Sequence, residues 1–265
     1  MKNILLLQSN DSLSTIKVDK GELVSYQKNN VEYIHQKGNP GWRNSDTEMF
    51  PIIGPTKKNN FKVVTKKGVN HVDQHGFLRE LPYVLISSDK KKLVFKKEYL
   101  KNTKIKNSKY PTKSTQKELS WLYSFTFYKT ISITNSSIEI TFKIITTENM
   151  PFMLGYHPAF FLSGNGNETF KIKNTSFTLQ NIIDKKADAY PFYNTNKITL
   201  FLQSGKKLIL KTKGFNNVML WTEVKNMVCI EPITQYPDLE KQQYSEKNMQ
   251  ICNNTKEFSV KISIL

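Results

Sequence analysis

Cysteine is nearly absent from this chain of 265 residues. Only Cys229 and Cys252 occur, and they do not form a metal-type pair. A reduced chain, expected in the cytoplasm, follows, with no metal site legible. Histidine is scarce as well, at four residues. No apolar run approaches the roughly 18 residues of a membrane span. The N-terminal run from Ile4 to Leu7 is too short for a secretory core, and no small-residue cleavage site follows it. Membrane association is therefore not expected. Amphipathic windows long enough for a helix of three turns are missing, as are repeats and linkers. One domain over residues 1–265 is the expected organisation.

Acidic residues are also few: 22 against 39 basic ones, a net charge of +17. So basic a chain invites a nucleic-acid reading. Its lysines, however, are spread along the sequence, and asparagine is frequent beside them, as in A- and T-rich coding sequences. The densest stretch, "KKKLVFKKEYLKNTKIKNSKYPTK", carries no nucleic-acid motif. No nucleic-acid partner is expected.

What the chain has in quantity is β pattern. Alternating or β-branched runs recur at short spacing, among them "SLSTIKV", "KLVFK", "SFTFYKTISIT", "SIEITFKII", "KLILK", "MVCIE" and "FSVKISIL". Turn residues separate them at 135–137, 163–168 and 203–207, so hairpins are the natural connections. The expected architecture is an all-β antiparallel sandwich of two curved sheets. Its broad concave face is a natural ligand site.

Two of the scarce histidines sit in similar settings, His75 in "DQHGFLREL" and His157 in "MLGYHPAFF". Proline after His157 keeps it extended, and Gly155 permits close backbone approach. By itself His157 reads as a core histidine satisfied by a carbonyl, or as an acid. Glu231 in "MVCIEPI" ends a strand of buried character. It is either an edge carboxylate facing solvent or a desolvated one whose pKa is raised. A Glu and a His facing one pocket would supply a base and an acid together.

Four blocks, "EMFPIIG" (48–54), "DQHGFLRE" (73–80), "MPFMLGYHPAF" (150–160) and "VCIEPITQYPD" (228–238), resemble the ordered blocks of the aldose 1-epimerase, or galactose mutarotase-like, family. They are closest to its LacX-type bacterial branch, which reads FPIVGR, QHGFAR, GxHPAF and CIEPW. The resemblance runs from about Asp11 to Leu265. It implies a galactose mutarotase-like supersandwich and an isomerase that interconverts sugar anomers without a cofactor. It further implies that His157 is the general acid at the ring oxygen and Glu231 the base at the anomeric hydroxyl. His75, Gln74 and Arg79 would contact the sugar, and Asp188 in "KADAYPF" would bind it. A bell-shaped rate profile centred near neutrality is then expected. The family's FPIVGR arginine is missing, with Pro55 in its place, so either Lys57, Lys58 or Arg43 substitutes or this branch binds a different sugar. A hexose-6-phosphate mutarotase and a non-catalytic carbohydrate-binding protein are the alternatives. Monomer and homodimer both remain open.

Overall fold

Strands dominate the computed structural model, which describes residues 4–186 and 188–265. The largest sheet has nine antiparallel strands. In spatial order they are Thr175–Thr178, Thr169–Ile172, Lys197–Phe201, Lys207–Lys213, Thr255–Ile264, Ser137–Ile145, Phe125–Ile133, Lys92–Tyr99 and Val84–Ser88. Their period-2 pattern decides which face is buried. In Phe125–Ile133 every second residue, from Phe125 through Phe127 to Ile131, points inward. The sole α-helix among the described residues is the five-residue Leu179–Ile183, started by a capping box between Thr178 and Asn181.

A second sheet orders Tyr190–Tyr193, Asn217–Trp221, Met227–Ile233, Gly155–Tyr156 and Glu48–Met49, with Ala159–Phe161 also paired to Met227–Ile233. It is laid against the large sheet through aromatic contacts. Phe50 meets Phe125 at 4.9 Å between ring centroids, edge to face, and Phe142 meets Tyr156 at 5.1 Å. Each such buried ring contributes roughly 1.5–3 kcal/mol by leaving water. One contiguous apolar core extends from Leu7 to Ile264.

Strand Met227–Ile233 is buried on both faces, unlike a half-exposed edge. Val228 and Ile230 enter the main core, whereas Met227 and Cys229 turn to the opposite face and pack with Ala159, Trp42 and Trp221. Glu231, two residues further, shares that second face. Its neighbours there follow from register: Met219 stands opposite Glu231, and Trp221 and Ala159 stand opposite Cys229. The face turned away from the large sheet thus carries Cys229 and Glu231.

Two lysines occupy inward positions of the large sheet. Lys129 falls in the buried alternation between Phe127 and Ile131, and its side chain is 1% exposed. Its ammonium bridges to Asp46 at 2.7 Å and Glu48 at 2.8 Å, at the edge of the second sheet. Burial works against that charge, but the two carboxylates outweigh it and hold the ammonium above its ordinary range. The Tyr156 hydroxyl donates to Asp46 at 2.8 Å.

Candidate functional site

A cleft of about 290 Å³ opens on the second sheet, and His157, Glu231, His75, Gln74 and Asp188 all line it. The four sequence blocks meet here because their backbones dock on one another. Asp73 accepts from the Gln74 amide at 2.6 Å, and Gly76 closes the turn onto the Asp73 carbonyl at 2.9 Å. His75 and Gly76 both adopt positive φ, 68° and 69°. A Cβ at Gly76 would strike the Phe50 carbonyl, so only glycine lets this turn sit on the FPIIG block. That turn aims the His75 ring into the cleft. Its Nδ1–H donates to the Ile53 carbonyl, which leaves Nε2 as an acceptor. Burial, then the nearby Arg79 guanidinium, keeps its pKa well below the ordinary value, so it stays neutral.

His157 is held through its backbone. Its amide donates to Thr47 at 2.8 Å and its carbonyl accepts from Thr47 at 3.3 Å. The Trp42 ring lies over it at 4.3 Å, tilted by 30°, and Trp221 flanks it edge-on at 6.2 Å. No carbonyl satisfies it: Nδ1 is buried without a partner. Nε2 lies 3.4 Å from Glu231 Oε1, longer than a formed hydrogen bond between such groups. Glu231 is 2% exposed, which excludes the solvent-facing reading. Burial pushes its pKa up to about 8, and burial, aided by Arg79, pushes His157 down to about 3. Near neutrality the pair therefore carries one proton, on Glu231.

The rest of the site departs from the sequence reading at several points. Arg79 does not line this cleft. Its Nη2 donates to the Gln74 carbonyl at 2.8 Å, and its side chain lines a neighbouring cleft with Glu80, Lys97 and Lys129. Lys109 reaches the same carbonyl at 3.1 Å, so the two cations clamp the turn from behind. None of Arg43, Lys57 or Lys58 takes the place of the missing arginine. Lys58 donates to the Glu240 carbonyl at 3.0 Å, and Pro55 itself faces the cleft. Asp188 is exposed at the rim, on a segment held by the Tyr236 hydroxyl, which donates to the Ala189 carbonyl at 3.0 Å. Asp238 stays outside and caps its own loop, accepting from Lys241 and Glu240 amides at 3.0 and 3.2 Å.

Trp42, Trp221, Glu223 and Tyr236 also line the cleft and were missed in the sequence. One signal could have found two of them. The chain has three tryptophans, and Trp42 and Trp221 lie outside any strong strand interior. A large ring of that kind is often a ligand wall.

Residues 54–259 match the aldose 1-epimerase family. No curated protein matches the chain. Solved structures do. A galactose mutarotase-like protein from Lactobacillus casei ATCC 334 is 14% identical with a TM-score of 0.81, over 99% of this chain and 100% of that one. A galactose mutarotase related enzyme from Lactobacillus acidophilus is 19% identical with a TM-score of 0.79, over 99% and 97%. A galactose mutarotase-like protein from Clostridium acetobutylicum is 13% identical with a TM-score of 0.67, over 96% and 93%. At these identities the structures speak for the fold. The family match, which takes in most of the chain and three of the four blocks whole, makes it a member of the aldose 1-epimerase family.

Proposed function

We propose that this chain is an aldose 1-epimerase that interconverts the α and β anomers of a neutral hexose by acid–base ring opening. The observation that carries the proposal is the 3.4 Å approach of His157 Nε2 to Glu231 Oε1 inside a tryptophan-walled cleft. Glu231 takes the proton from the anomeric hydroxyl while His157 gives one to the ring oxygen. The C1–O5 bond breaks and C1 becomes a carbonyl. After rotation about C1–C2 the O5 hydroxyl attacks the other face. It returns its proton to His157, and Glu231 returns its own to O1. No group outside the pair is needed to balance the protons.

The resting proton sits on Glu231, yet the working arrangement needs it on His157. Both are tautomers of the same singly protonated pair, so they share one pH dependence. His75 Nε2 accepts from a sugar hydroxyl, and Gln74 and Asp188 add hydrogen bonds at the rim. Arg79 acts through the Gln74 carbonyl. The reading of a 6-phosphate substrate has little support in this cleft. Among its described lining residues the acidic ones are Asp188, Glu223 and the protonated Glu231, with no lysine or arginine. A phosphate there would meet carboxylates in place of cations. A non-catalytic binding protein would have no use for a buried carboxyl beside a buried imidazole.

The test is NMR exchange between anomer signals over a panel of free and 6-phosphorylated aldoses. His157→Asn and Glu231→Gln should each slow exchange by about 10²–10⁴-fold with the fold intact by circular dichroism. Near wild-type exchange in either variant would sink the mechanism.

A further inference from the structure

Cys229 has no part in that chemistry, yet it is aimed at it. It lies two residues from Glu231 on the same strand, so both side chains leave one face of the sheet. His157 lies across from them, where the register pairs Ala159 with Cys229. The Cys229 thiol, a His157 ring nitrogen and a Glu231 carboxylate oxygen all fall within 4.8 Å of one another, and all three residues are buried.

Tetrahedral zinc binds sulfur at about 2.3 Å and nitrogen or oxygen at about 2.0–2.2 Å, which spaces its donors about 3.3–3.6 Å apart. The imidazole and carboxylate already stand at 3.4 Å. The sulfur has little more than about an ångström to travel, within the reach of a χ1 adjustment. One nitrogen, one sulfur and one oxygen suit a borderline-soft ion and give magnesium or calcium too few oxygens.

We propose that His157, Cys229 and Glu231 form a site for a thiophilic divalent cation, zinc foremost, with its fourth position open to the cleft, and that the bound ion switches the acid–base pair off. A dication held by one thiolate and one carboxylate adds no net charge to the apolar wall. An ion there holds the lone pair of His157 and the carboxylate of Glu231 together, so neither can exchange a proton with a sugar. The binding half of this proposal stands on geometry alone; the inhibitory half rests on the mutarotase reading.

The experiment titrates chelator-treated protein with ZnCl₂ by calorimetry and with CoCl₂ by absorption. One ion per chain and a thiolate-to-cobalt charge-transfer band are expected. Cys229→Ala should lose the band and weaken zinc binding by at least about tenfold. It should keep mutarotation and raise the ZnCl₂ concentration that inhibits it by the same factor. Cys252→Ala should match the wild type, and MgCl₂ should do nothing. No stoichiometric binding, no thiolate band in the wild type, or zinc affinity unchanged by Cys229→Ala would each overturn the site. The wild-type cobalt spectrum decides even if Cys229→Ala does not fold. A wild type that shows the band but mutarotates no aldose on the panel keeps the metal site and loses the mutarotase reading.

Discussion

His157 and Glu231 concentrate the chemistry of this protein because both are driven to neutrality by burial, from opposite sides. With the metal-free enzyme, the single proton of the pair is lost as Glu231 titrates, so kcat/KM should fall above about pH 8. Its acid limb should lie far below pH 5, since His157 gains a second proton only near 3. The window from about pH 3 to 8 is thus centred on the acid side of the near-neutral bell expected from the sequence. A stopped-flow pH series that falls already between about pH 5 and 7 would contradict the assignment. The same burial has a stability cost. Glu231 titrates higher in the folded chain than its ordinary 4.5. The unfolded chain therefore releases a proton that the folded one keeps, and folding loses stability as pH rises from about 4.5 to 8. Glu231→Gln removes this dependence. Its Tm advantage over wild type should grow between pH 5 and pH 8 by several degrees, at roughly 2–4 °C per kcal/mol in a chain of this size. Differential scanning calorimetry at the two pH values reads it directly.

Elements matter here chiefly for how they deliver side chains to the edge of the second sheet. Strand Phe125–Ile133 sends Lys129 across the core to Asp46 and Glu48, beside the Thr47 backbone that holds His157. Both carboxylates and the ammonium are buried, so removing the cation alone leaves two charges uncompensated. Lys129→Met should cost about 3–5 kcal/mol in urea unfolding. Lys129→Met with Asp46→Asn and Glu48→Gln should recover most of the loss. If the single variant is as stable as wild type, the bridge has no structural role. The alternation of that strand already marks Lys129 as inward-facing, between Phe127 and Ile131. A sequence reading attentive to period could have found this buried charge; one that counts lysines as surface does not.

At the scale of the whole molecule, the net charge of +17 and the cleft are separate matters. The lysine excess gives the surface a long-range field, but the lining of the cleft carries carboxylates. Turnover of a neutral hexose should then be flat in kcat/KM from low salt to the ionic strength where the Debye length is about 8 Å. A 6-phosphate should not be preferred. Preference for the phosphate, with a rate that falls steeply as salt rises, would overturn the neutral-substrate reading.

Local pattern was enough for the strands. Period-2 alternation in runs such as 125–133 and 137–145, and the lack of helical windows, already specify antiparallel sheet, because that signal is carried by neighbours in the chain. The blocks around His75, His157 and Glu231 were legible for a similar reason: each is a short turn or strand end whose glycine, proline and histidine act locally. Tertiary structure alone decided what lies between them. It turned Arg79 to the back of the Gln74 carbonyl and left Pro55 facing the cleft with no cation in its place. It laid Trp42 against His157 and brought Cys229 within 4.8 Å of the pair. The Trp42–His157 and Cys229–His157 approaches join positions 115 and 72 residues apart (157−42 and 229−157), set by sheet register and loop docking, and no short window of sequence encodes them.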